Sequence, residues 1–82
     1  MPDEKRVAIM GIVVRDRNQS TRVNDVLSRH GDAIIGRQGV PIAERGVSVI
    51  TVMLDADQAT IGAVSGALGN IPGVTLRTST LI

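Results

Sequence analysis

Two neighbouring segments, Asp32-Ala-Ile-Ile-Gly-Arg-Gln-Gly-Val-Pro41 and Gly46-Val-Ser-Val-Ile-Thr-Val-Met-Leu54, constrain the fold more than any other part of the chain. The first is interrupted by Gly36 and Gly39, carries Arg37 and Gln38, and meets a proline near its end. Proline has no amide hydrogen to give to a ladder, so it is tolerated at a sheet edge or a strand end. The second is apolar at nearly every position, the signature of a strand covered on both faces. An edge strand therefore precedes a central one, and the Ala43–Gly46 turn joins them. Gly46 is free to take the positive φ that such a turn asks for.

The rest of the chain repeats a strand–helix plan at an offset of about 40 residues. Val7–Val14 is a continuous, β-branched apolar run ended by Arg15-Asp16-Arg17-Asn18. Ser20 or Asn18 is expected to cap a helix with Val23, Val26, Leu27 and His30 on one face, closed by Gly31. After Val47–Leu54, Asp55-Ala56-Asp57 reads as a turn with a capping carboxylate. Ile61, Val64 and Leu68 then make the stripe of a second helix that ends at Gly69. Asn70-Ile71-Pro72-Gly73 is a turn, and Val74–Thr80 a final alternating strand. The order β-α-β-β-α-β is the ferredoxin-like arrangement, an α+β fold with a four-stranded antiparallel sheet and two helices on one face, expected as a single domain over residues 1–82. Right-handed crossovers put the first and third strands in the middle.

That fold leaves one sheet face without helices, yet both middle strands are apolar on both sides. Ala8, Met10, Ile12 and Val14, with Ser48, Ile50, Val52 and Leu54, are assigned to the helices because they are bulkier near the strand ends. Val7, Ile9, Val13, Val47, Val49 and Met53 would then be bare in a monomer. A patch of that kind marks an interface, and a closed homo-oligomer, dimer or tetramer, is the expected outcome. Size agrees: with 82 residues and neither cysteine nor aromatic side chain, the core is light and gains from assembly. On the second helix, Ala59, Gly62, Ala63, Gly66 and Ala67 form a small-residue surface, read as close approach to the sheet or a neighbouring helix.

Composition excludes several kinds of chemistry. A formal net charge of +1 gives no nucleic-acid footprint. There are no aromatic platforms for RNA and no helix-turn-helix or basic arm for DNA. With one histidine and no cysteine, no metal ligand set forms within one subunit, no cofactor is expected, and no catalytic Ser/His/Asp or Cys/His set is supported. His30 is expected near the last helical carbonyls. Asp55 and Asp57 read as caps, and the Asp3–Arg6 run as a solvated terminus. No apolar run is long enough for a signal peptide or a membrane span, so a cytoplasmic location is the default. The residues left for binding are Arg15, Arg17 and Asn18, before a helix whose free amides favour an anion, together with Arg37 and Gln38 on the edge strand. For Arg37 and Gln38, hydrogen bonding at an interface is the favoured role.

Several elements together carry a family resemblance: Glu4-Lys5-Arg6-Val7-Ala8-Ile9, Ile34-Ile35-Gly36-Arg37, Gly39-Val40-Pro41, Gly46-Val47-Ser48-Val49-Ile50, Ser65-Gly66-x-Leu68-Gly69 and Ile71-Pro72-Gly73-Val74. Over nearly its full length the chain resembles the small regulator family associated with the iron-only hydrogenase system, a role assigned from genomic association. The resemblance implies an ACT-like domain, similar to the ligand-sensing half of nickel-responsive repressors, that assembles and binds a small effector between subunits near the turn after the first strand. Many such domains carry a glycine there. Arg15-Asp16-Arg17-Asn18 stands in its place, which argues against an amino-acid effector. The expectation is a non-enzymatic, effector-sensing regulatory oligomer that contacts a protein partner and binds no nucleic acid directly. The alternative is a structural or protein-interaction oligomer without a small-molecule site. A weak acylphosphatase-like hydrolase ranks third: Gln38-Gly39-Val40 matches part of that loop but lies in the second strand instead of after the first.

Overall fold

The computed structural model describes residues 4–82. Strand β1 is Lys5–Val14, helix α1 Ser20–Arg29, β2 Ile34–Ile42, β3 Val47–Asp57, helix α2 Gln58–Gly69 and β4 Val74–Thr80. All strand pairs are antiparallel, and the sheet order is β2-β3-β1-β4. The two most apolar strands are thus in the middle, and the Arg37/Gln38/Pro41 strand is at an edge, as the residues require. None of the helices is long and apolar enough to cross a membrane among the described residues.

Alternation along the central strands decides where the core sits. Ala8, Met10 and Ile12 of β1 are fully buried, as are Val52 and Leu54 of β3. All of these but Ala8 meet Val23, Val26 and Leu27 of α1 and Val64 and Leu68 of α2 in one cluster. Each such side chain contributes about 1.5–3 kcal/mol through apolar burial. A smaller cluster of Ala8, Ala33, Ala56 and Ile61 closes the other end of the helix layer. The assignment of Met10, Ile12, Val52 and Leu54 to the helix side holds, so Val7, Ile9, Val13, Val47, Val49 and Met53 lie on the open side by register.

Several local expectations are corrected. Neither Ser20 nor Asn18 caps α1: Asp16 Oδ1 accepts from the Asn18 amide at 3.0 Å, starting a 3-10 turn over Arg17–Gln19 that leads into the helix. Gln19, at the helix cap position, makes no side-chain cap bond. Gly31 does not end the helical path sharply but opens another 3-10 turn, Gly31–Ala33, so β2 starts at Ile34 and not at Asp32. Asp55-Ala56-Asp57 is not a turn. β3 runs through it, and only Asp57 caps α2. Glu4, Lys5 and Arg6 are exposed, as expected of a solvated run, but Lys5 and Arg6 already belong to β1, and Arg6 Nε donates to the Ile82 carbonyl at 3.0 Å; Asp3 lies outside the described residues. The small surface of α2 does not approach the sheet. Ala59, Gly62, Ala63 and Gly66 are exposed, and Ala67 alone packs against the core.

Two glycines act in opposite senses. Gly73 has φ 77°, and a Cβ there would lie 3.1 Å from Asp16 Cβ, where the Arg15 amide also donates to the Gly73 carbonyl at 2.8 Å. Gly62, inside α2, has nothing within 4 Å of a Cβ. Urea denaturation should therefore show Gly73→Ala destabilising by about 1–3 kcal/mol and Gly62→Ala stabilising by about 1 kcal/mol. A neutral Gly73→Ala would contradict the packing described for this corner.

Candidate functional site

Where β1 ends, the chain turns over the β2–β3 hairpin, and a cleft opens between them. Arg15 and Arg17 line a cavity of about 460 Å³ together with Asp16, Ser20, Pro41 and Ser48. A second cavity of about 200 Å³, between α1 and β2, shares Val14, Ser20, Pro41 and Ser48 with the first, and it adds Asn24 and Arg37. Its inner wall is apolar, from Val14, Val23 and Ile50. Arg37 faces α1 because its register partner Val52 does, and its guanidinium donates to Asn24 Oδ1. Arg15 donates to Thr75 Oγ1 at 2.7 Å. The Asp16 carboxylate is engaged by the Asn18 amide. Thr75 stands opposite Val13, so the Arg15 guanidinium reaches toward the open side of the sheet. The cleft thus combines Arg17, Arg37 and two hydroxyls with an apolar wall, a chemistry suited to a small anion with a short apolar body.

Of the residues expected to bind, Arg15 and Arg17 share one cavity and Arg37 lines the next. Asn18 and Gln38 line neither. Gln38 pairs with Thr51 on the opposite sheet face, because adjacent strand residues point to opposite sides. Ser20, Asn24 and Ser48 were missed. Ser20 and Asn24 are four apart and so fall on one helix face, a spacing visible in the sequence. Ser48 is brought to the cleft by its pairing with Val14.

The open sheet face is the second candidate. Val7, Ile9, Val13, Val47 and Val49 are half-buried, and Met53 is 40% exposed. From β2, Val40 joins them through its pairing with Val49. Gly11 interrupts the apolar surface and floors a hollow of about 650 Å³ bounded by Val13, Arg15, Val49, Thr75 and Arg77. No helix covers this side.

At the other end of the sheet Asp32, Asp55, Asp57 and Lys5 surround a cavity of about 320 Å³. Among the described residues no group of three or more His, Cys, Asp or Glu is placed to hold a metal. Asp57 Oδ1 accepts from the Thr60 amide at 2.8 Å. Its carboxyl is held below the ordinary value by hydrogen bonds from the Thr60 side chain and backbone, with a smaller contribution from Lys5 and some opposition from desolvation. Asp55 caps nothing: it lies within β3 opposite Val7. His30 is the C-cap of α1, and its backbone amide donates to the Leu27 and Ser28 carbonyls.

Comparison with known proteins adds a family. A family model described as "TM1266-like: Iron-only hydrogenase system regulator, putative" matches residues 6–78. The structure of protein TM1266 from Thermotoga maritima is similar at 41% identity and TM-score 0.93, covering 96% of this chain and 100% of that one. The C-terminal domain of MgtC from Mycobacterium tuberculosis shares the fold at 14% identity and TM-score 0.73, with coverage of 95% and 89%. CPII, a nitrogen regulatory PII-like protein from Thiomonas intermedia K12 bound to ADP, AMP and bicarbonate, does so at 14% identity and TM-score 0.51, with coverage of 93% and 92%. No curated protein matches the chain in sequence.

The Asp57 cap makes stability pH-dependent. Because the folded-state pKa lies below the ordinary 3.8, the stability this group contributes is present above that value and is lost as pH falls through the depressed one. Asp57→Asn keeps a cap acceptor but removes the titration. Thermal melts across the acid range should show wild-type Tm falling more steeply below about pH 4 than that of the variant. Parallel curves would show that the cap charge is not what stabilises this helix end.

Proposed function

The chain belongs to the TM1266-like family, and from that premise we propose that it is a non-catalytic, cytoplasmic regulatory module that assembles through its open sheet face and senses a small anionic effector in the Arg15/Arg17/Arg37 cleft. The observation that carries this reading is that the two neighbouring cavities share Val14, Ser20, Pro41 and Ser48. Arginines from the β1–α1 link and from the edge strand β2, which are distant in sequence, line one cleft with Ser20 and Ser48. An effector there would bridge α1 and the β2 edge, which are otherwise linked through Arg37 and Asn24. Binding that favours one arrangement of those elements over another biases the assembly, and through it the contact with a protein partner.

A second reading, a structural or interaction oligomer with no small-molecule site, has its own support. Arg15 and Arg37 already have partners within the chain, in Thr75 and Asn24, which leaves Arg17 as the cleft arginine without a recorded side-chain bond among the described residues.

Thermal shift separates the two readings. Phosphate, sulfate, bicarbonate, short carboxylates and adenine nucleotides serve as probes. A ligand at a hundredfold its Kd stabilises the native state by about 2.7 kcal/mol, which moves the Tm of a domain this size by roughly 10 °C or more. At least one anion should do so, and Arg17→Ala and Arg37→Ala should each remove most of the shift. A flat response to every probe, with the assembly intact by light scattering, selects the structural reading. A monomer at micromolar concentration removes the assembly itself.

A further inference from the structure

The open face is complementary to itself. Asp55 stands on β3 opposite Val7 of β1, and Arg77 stands on β4 opposite Gly11 of β1. Strands β3 and β4 flank β1 on its two sides, so the point midway between the two charges is Ile9. With a rise of about 3.3 Å per residue and strands about 4.8 Å apart, the charges are roughly 16 Å from each other, too far to pair within one chain. Among the described residues neither makes a side-chain hydrogen bond. A second matched pair lies beside them. Met53 is Ile9's neighbour on β3 and protrudes at 40% exposure. Gly11, two residues along β1 from Ile9, has no atom within 4 Å of a Cβ position and floors the hollow.

We infer that two copies of this chain pack open face to open face about a two-fold axis over Ile9, with Asp55 of each copy against Arg77 of the other and Met53 of each seated in the Gly11 hollow of the other. An axis lying between the faces and perpendicular to the Asp55–Arg77 line exchanges those two residues. On the same idealised grid it carries Met53 to within roughly 3 Å of Gly11. One rotation therefore satisfies both a charge match and a knob-and-hollow match. The strands of the two sheets then cross at roughly 70°, nearer the orthogonal than the aligned class of sheet packing. The contact is isologous, so each match occurs twice. Ile9, Val7 and Met53 supply the apolar centre, while the charge pairs set orientation and exclude other registers. Complementarity of a face to its own rotated image serves an identical partner and no other.

The pairing presupposes the assembly through the open face proposed above, and the test keeps the two apart. Asp55→Arg and Arg77→Asp each place two like-charge contacts in the interface and should weaken dimerisation about tenfold or more. The double variant Asp55→Arg/Arg77→Asp should restore it, all three being checked for folding by circular dichroism. Because the chain has no cysteine, Ile9→Cys gives an independent reading: a short bismaleimide should link two copies through residue 9. Val13→Cys, whose two copies lie about 21 Å apart along the grid, should not link. Wild-type dimers unaffected by the reversals, a linking Val13→Cys, or an assembly with an odd number of copies would overturn the pairing while leaving assembly in place. A monomeric wild type would overturn both.

Discussion

Everything in this molecule follows from β1 being apolar on both faces and paired on both edges. Its register runs to β3 from Lys5 to Val14 and to β4 from Ala8 to Val14. One face, Ala8, Met10, Ile12 and Val14, is satisfied by α1 and α2 within the chain. The other face has the same appetite for burial and no helix to meet it. A strand apolar on two sides, in a topology that provides helices on one, leaves its second face without cover from its own chain. The cleft at the β1–α1 link and the open face lie at two ends of the same constraint: Arg15, one residue beyond β1, lines the cavities on both sides of the sheet.

Much of this was legible in the residues. Period-two alternation divided β1 and β3 into two sets, bulk near the strand ends chose the one that faces the helices, and Pro41 with the two glycines placed β2 at the edge. Asn70-Ile71-Pro72-Gly73 set the start of the last strand at Val74. What failed was local and had physical causes. Arg15-Asp16-Arg17-Asn18-Gln19-Ser20 holds three side chains able to cap, and the local sequence does not choose among them; in the fold Asp16 caps the 3-10 turn and lies against Gly73. The register shift between Ile34 and Gly36, which leaves Ile35 58% exposed, depends on pairing with β3 and leaves no mark in β2 itself. Asp55-Ala56-Asp57 resembles a turn until β1 is seen to extend back to Lys5 and hold it in the ladder.

The small residues of α2 were misread although their spacing held the answer. At 100° per residue, Ala59, Gly62, Ala63 and Gly66 fall about opposite Ile61, Val64 and Leu68. Once the buried stripe is known, they must face away. The candidate site was legible in its charges and not in its shape. Arg15 and Arg17 were placed beside a helix start by local sequence. The meeting of Arg37 with Asn24 depends on β2 crossing beneath α1, and Gln38 was separated from Arg37 by the alternation of a single strand position.

The sheet order has a consequence for how the chain comes into being. β1 takes its second neighbour from β4, which begins about sixty residues after β1 ends. At typical synthesis rates that interval is roughly 3–12 s. For that time the most apolar strand of the protein has at least one edge unpaired, and its helix-facing side stays uncovered until both helices have formed. Before it acts as anything else, the nascent chain thus passes through seconds in which its most hydrophobic strand has no intramolecular cover.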